Sequence, residues 1–298
     1  MPSARTPSTI SELPLVGAGG EPVDLPRTLA SHGVASLPPS SIDEEAWTLE
    51  VTLPSGRGAR TVRVSQGRSG YANVEGATKP ILGELRHMFR LDEDLSPFYA
   101  VARADSKLEW AAAGAGRMLR SPTVFEDVVK TICTTNCAWS ATIRMVTALV
   151  GELGVPARSG KRTFPTAAAM AETGDSFYRD VARAGYRGAY LRTLADDVAS
   201  GRLDLEQLND PELPDDEVEA RLLALPGVGP YAAAHVMLTS LGRYSRLVLD
   251  SWTRPAYARL AGRKATDKTI ERKFRRYGDY AGLAFWLLLT RSWVPETE

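Results

Sequence analysis

The feature that most constrains this chain is the run Leu225-Pro226-Gly227-Val228-Gly229-Pro230-Tyr231-Ala232-Ala233. Arg221 to Leu225 reads as the end of one helix, and Tyr231 to Leu241 as the start of the next. The two glycines between them open backbone angles closed to other residues, so the chain can reverse tightly and lie close to a ligand. Unpaired N–H groups and the dipole at the start of the second helix favour a phosphate. Such a contact ignores base sequence and suits a nucleic-acid backbone. A plain helix–helix turn is the alternative for the glycine pair alone. One helix length later, Leu247-Val248-Leu249-Asp250 sets a single carboxylate at the end of an apolar segment. Asp250 is also a good N-cap for a helix running through Tyr257 to Leu260, and the two roles are compatible.

Elsewhere the pattern divides the chain. Residues 1–40 are rich in Pro, Ser and Gly and are expected to be mobile. Trp47 to Leu53 and Thr61 to Ser65 alternate as strands do, around a turn at Pro54-Ser55-Gly56-Arg57-Gly58. Residues 41–95 therefore read as a small antiparallel sheet domain and 96–298 as a helical domain, a mainly α fold of the α+β class. In the helical part, Val124, Val128, Val129 and Ile132 form one apolar face behind Ser121, a candidate N-cap, and Pro122. That helix stops at the polar cluster Thr134-Thr135-Asn136, where Asn136 could cap a following helix, Ser140 to Val150.

The string LPGVGPYAAA with Asp250 behind it resembles the helix–hairpin–helix DNA glycosylases, the superfamily of endonuclease III, 8-oxoguanine DNA glycosylase and 3-methyladenine DNA glycosylase II. The likeness extends over roughly residues 95–292: the helix Pro122 to Asn136, the segment Gly185-Tyr186-Arg187-Gly188-Ala189-Tyr190, the loop glycine Gly242 and the apolar helix Asp279 to Leu289 all have counterparts. It implies that Gly227, Val228, Gly229 and Tyr231 hold the DNA backbone, and that Asp250 supports base removal. It implies that Asn136, Tyr186 and Arg187 enter the DNA beside a flipped nucleotide. It also implies a structural Na+ or K+ on the carbonyls of Leu223, Leu225 and Val228, with no other cofactor required.

Two departures refine the expectation. Bifunctional members carry a lysine just after the hairpin, used for strand cleavage; here Pro230-Tyr231 stands there, which predicts a monofunctional enzyme. The last helix lacks the Gln that reads oxidised guanine, and Phe285 occupies its position. Tyr231, Trp252, Phe285 and Trp286 fall on segments that line the family's base pocket, although tryptophans are more often core. An aromatic pocket suits cationic N-alkylated purines. The resemblance thus implies a base-excision-repair glycosylase for alkylated purines such as 3-methyladenine. A glycosylase for an oxidised purine or uracil, or a non-catalytic helix–hairpin–helix DNA-binding protein, are the rivals.

Composition agrees with such a partner without demanding it. Lys plus Arg and Asp plus Glu are 36 each, so the net charge is zero, which excludes a generic polycation. Cations cluster locally, from Arg254 to Arg276 and from Arg183 to Arg202. Cys133 and Cys137 alone cannot hold an iron–sulfur cluster. No apolar run reaches membrane-spanning length, and no signal-peptide core is present. The expectation is a cytoplasmic monomer, nucleoid-associated if bacterial, whose partner is double-stranded DNA with a damaged base.

Overall fold

The computed structural model describes residues 10–295. Five antiparallel strands, β1 (Ile10–Pro14), β2 (Ser40–Asp43), β3 (Thr48–Ser55), β4 (Gly58–Gln66) and β5 (Tyr71–Glu75), form one sheet in the order β1-β5-β4-β3-β2. The two-residue period of the strands builds its inner face. Leu49, Val51 and Leu53 of β3 and Val62 and Val64 of β4 are all buried, with Leu49 opposite Val64 and Val51 opposite Val62. Helices α1 (Leu25–Leu29) and α2 (Lys79–Met88) cover that face, contributing Leu25, Leu29, Ile81 and Leu85 to the same core.

The N-terminal segment needs correction. The abundance of Pro, Ser and Gly suggested that residues 1–40 are mobile, yet β1, α1 and a 3-10 turn at Gly33–Ser36 lie within them. Leu13, Leu15 and Leu29 are buried, and a few well-spaced leucines outweigh a turn-rich composition once β1 can pair with β5. Residues 1–9 lie outside the described part.

The rest of the chain is helical. It comprises α3 (Ser96–Arg103), α4 (Val124–Thr134), α5 (Trp139–Leu153), α6 (Ala167–Ala171), α7 (Arg187–Ala199), α8 (Asp215–Leu223), α9 (Pro230–Thr239), α10 (Thr253–Ala261), α11 (Asp267–Phe274) and α12 (Ala281–Thr290). They surround two apolar cores. One draws on α4 to α9; the other on α3 and α9 to α12. Helix α9 belongs to both: Ala232, Ala233, Val236 and Met237 face the first, Ala234 and Leu238 the second. Its far end is fixed by Arg90, which is fully buried and donates to the Thr239 carbonyl at 2.7 Å and to the Met118 carbonyl at 2.9 Å. A side chain on Gly242 would strike that guanidinium, with its Cβ 2.6 Å from Nη1.

Candidate active site and nucleic-acid interface

Helices α8 and α9 meet at the Gly227 turn. Gly227 has φ +79°, a left-handed angle that other residues adopt only with strain, and a Cβ there would lie 2.7 Å from Cδ2 of Tyr190. The turn is closed by the Val228 N–H, which donates to the Leu225 carbonyl at 3.2 Å. The Leu225 carbonyl keeps a second lone pair that a cation could use. Gly229 caps α9 without a side-chain bond, and Pro230 opens the helix. Val228 is buried, and Gly227 and Gly229 are half-buried.

Asp250 follows an extended stretch after Gly242. Its Oδ1 accepts the N–H groups of Trp252 at 2.8 Å and Thr253 at 2.6 Å. Its own N–H donates to Thr253 Oγ1 at 2.8 Å. The N-cap position of α10 is Trp252, not Asp250, and the Asp250 carboxylate binds the amides of that residue and of Thr253 from just ahead of the helix. Among the described residues, Oδ2 has no hydrogen-bond partner. Asp250 lies close enough to Tyr231 and His235 for its charge to act on both. Burial, with the Asp250 charge behind it, pushes the Tyr231 hydroxyl above its ordinary range, against a 3.1 Å hydrogen bond with Thr134.

The expected wedge residues come together on the other side of the hairpin. Asn136 is exposed in a left-handed conformation with φ 45°, and its amide donates to the Tyr186 hydroxyl at 3.4 Å. It does not cap α5, whose N-cap is Ala138. Tyr186 is 54% exposed, and its ring contacts that of Tyr190 at 5.8 Å between centroids. Asn136, Tyr186, Tyr190 and Gly227 therefore make one continuous rim. Arg187 departs from expectation: it is buried, with only 6% exposed. Its guanidinium donates to the Thr135 carbonyl and sits 4.6 Å from the Tyr186 ring. It braces Thr135 and the Tyr186 ring instead of reaching outward.

The pocket aromatics divide. Trp252 is 37% exposed, with its ring 5.7 Å from Trp286, and Trp286 lies 6.5 Å from His235. Trp286 is mostly buried and donates its indole N–H to the Ser31 carbonyl at 2.7 Å. Phe285 is a correction. It is wholly buried against Tyr257 and Phe274, on the side of α12 away from His235 and Trp252. An almost uniformly apolar helix gives no sequence signal for which residue faces which way.

Two histidines went unnoticed in the sequence because neither belongs to a motif. His32 and His235 meet edge to face at 5.8 Å, and His235 lies 5.8 Å from Tyr231. Burial pushes His32 down to about 4 and His235 to about 3. His32 Nε2 lies 2.7 Å from the Leu119 carbonyl and must donate to it, which leaves Nδ1 as a bare, buried acceptor.

No family model matches the chain. A curated protein of Methanothermobacter thermautotrophicus, a probable N-glycosylase/DNA lyase, is 23% identical over 233 residues, covering 70% of this chain and 73% of that protein. The 8-oxoguanine glycosylase/lyase of Clostridium acetobutylicum superposes with a TM-score of 0.74 at 21% identity, over 96% of both chains. That enzyme has also been solved with double-stranded DNA containing cytosine opposite 8-oxoG. The 3-methyladenine DNA-glycosylase of Archaeoglobus fulgidus superposes at 0.73 and 19% identity, over 96% of this chain and all of that one. Among the described residues, no helix is long and apolar enough to cross a membrane.

Proposed function

We propose, from the premise that this chain has the fold of the helix–hairpin–helix DNA glycosylases, that it removes damaged bases from double-stranded DNA in base excision repair. The observation that carries this reading is the Asp250 carboxylate, held by α10 through Oδ1 with Oδ2 free, beside the first turn of α9. A protein that only bound DNA would gain nothing from a carboxylate near phosphates. With the backbone against the hairpin amides and a nucleotide flipped out, Oδ2 would face positive charge growing on the deoxyribose. A water oxygen bonds to C1′, the C1′–N bond breaks, and the base leaves with its electron pair. The water proton passes to Asp250 or to the departing base.

Water as nucleophile is supported by Tyr231, which stands where a lysine would form a Schiff base. Relatives named DNA lyase make this worth testing directly. Borohydride should trap no covalent complex between the protein and lesion DNA, and a trapped complex would establish a lyase. The substrate class favoured by Tyr231, Trp252 and Trp286 is an N-alkylated purine, since electron-rich rings attract a cationic base. The 8-oxoguanine enzyme among the relatives favours an oxidised purine instead. Duplexes carrying 3-methyladenine, 7-methylguanine, 8-oxoguanine or uracil separate the readings. Excision of one of them by the wild type, lost in Asp250→Asn with DNA binding retained, is the expected result. Excision unchanged in Asp250→Asn would overturn the mechanism, and no abasic product from any duplex would leave only a DNA-binding role.

A further inference from the structure

A groove runs along the outer face of α10 toward α11, away from Asp250. It consists of two joined cavities of about 920 and 740 Å³, which share Leu260, Leu288 and Arg291. The nearer cavity begins at Trp252, two residues from Asp250, and includes Arg259 and Trp293. The farther one is walled by Tyr257 and Leu260 and carries Lys107, Arg263, Arg272 and Lys273. Among the described residues, no carboxylate lines either cavity. Arg259, Arg263 and Arg272 are exposed and form no ion pair with any described residue, although several neighbouring cations do, such as Arg254 with Asp267. The apolar side is equally open: Trp252 and Trp293 are each 37% exposed, 5.4 Å apart between rings, and Leu260 is 55% exposed.

We propose that this groove is a second nucleic-acid site that holds an unpaired strand leading away from the Asp250 cleft. Uncompensated cations alone would serve any polyanion, and exposed indoles alone would serve any apolar ligand. Here one channel offers both, the indoles with Arg259 at the Trp252 end and Lys107, Arg263, Arg272 and Lys273 at the other, which matches a chain that carries both phosphates and flat aromatic faces. A duplex hides its base faces, so the two tryptophans would find nothing to stack on; a single strand offers both groups. The groove begins at Trp252, two residues from Asp250, so an unpaired strand held there would run continuous with the cleft of the proposed function, on which this inference rests.

Fluorescence anisotropy with short labelled oligothymidine and oligouridine tests this, with undamaged duplex and heparin as comparison ligands. The Arg263→Glu/Arg272→Glu variant should bind single strands at least about tenfold more weakly. Its salt dependence should be shallower by about 1.4 in the log–log slope, from about 0.7 per phosphate lost. Trp293→Ala should weaken single-strand binding without changing that slope, and duplex binding should be unaltered in both variants. All three substituted positions are on the surface, and circular dichroism checks that the variants fold. Single-strand affinity unchanged in both variants would overturn the proposal. So would equal losses on duplex and single strands, or heparin binding that depends on Trp293 as strongly. Repeating the measurement in the Asp250→Asn background keeps it separate from excision, because strand binding at the groove should persist there whether or not bases are removed.

Discussion

Asp250 and Thr253 exchange hydrogen bonds in both directions, one from each N–H to the other's side-chain oxygen. The start of α10 and the aim of the carboxylate are thereby a single feature. Thr253 is fully buried, so its hydroxyl has no access to water as a substitute partner. Thr253→Val keeps the shape but orphans the Asp250 N–H. It should cost about 1–3 kcal/mol of stability in urea denaturation. Both N–H bonds to Oδ1 would remain, but the Asp250 backbone would lose its anchor and the carboxylate its fixed aim, so kcat should fall about tenfold, equivalent to ~1.4 kcal/mol of barrier, while KM stays close to wild type. An equal change in both constants would mean that Thr253 acts on DNA binding instead.

Gly227→Ala should weaken binding to damaged and undamaged duplexes alike. The left-handed angle alone costs an alanine about 1–2 kcal/mol, and its Cβ would also push into Tyr190. Combining it with Tyr190→Ala removes the clash but not the angle, so thermal stability should recover only in part. Full recovery in the double variant would show that the backbone angle is unimportant.

Acid should destabilise the fold in a defined window. All three histidines are held below the ordinary value of 6.5, His32 and His87 at about 4 and His235 at about 3, with burial the main cause in each case. The unfolded chain takes up these protons near pH 6.5, whereas the folded chain resists them until pH 4 or below. Their stabilising contribution is therefore complete above that unfolded value and is lost as pH falls toward the folded values, with a slope of up to about 1.4 kcal/mol per pH unit for each histidine. His235→Phe should flatten the slope by one proton in urea titrations between about pH 7 and about pH 4.5. An unchanged slope would remove His235 from the account.

Arg187→Ala should destabilise the protein by about 1–3 kcal/mol, because the Thr135 carbonyl loses its charged donor. It should also reduce excision by freeing Tyr186 and Asn136. Arg187→Lys retains the charge but not the planar fork, and should restore little. Preference for the base opposite the lesion should be the same in Arg187→Lys and the wild type. A change in that ranking, checked with the four possible partner bases, would show that Arg187 does reach the DNA.

What could be read from the sequence was set by how local each signal is. The hairpin and Asp250 stood out through the longer string LPGVGPYAAA and the family resemblance it carries, since the glycine pair alone also fits a plain helix–helix turn and Asp250 alone a helix start. The β3–β4 hairpin was evident from alternation, while β1, β2 and β5 were not, since each is four or five residues long and is defined by its neighbours. Trp286 and Phe285 adjoin in sequence yet face different surroundings, a distinction that depends on the rotation of α12. Arg187 looked like a contact residue because arginine is usually exposed, and its burial depends on a carbonyl 52 residues away in sequence. His32 and His235, 203 positions apart, could be paired only once the sheet domain and α9 were docked.

The dual allegiance of α9 sets a limit on how the hairpin can move. Since both helical cores close onto it and Arg90 pins its far end, its amides should exchange with deuterium only when the whole molecule opens, whereas those near Asn136 and Trp293 exchange by local fraying. A grip carried by the last element to open cannot be adjusted separately from the fold. Adaptation to different distorted duplexes would then fall to the DNA and to the rim around Tyr186, with the hairpin serving as a fixed datum.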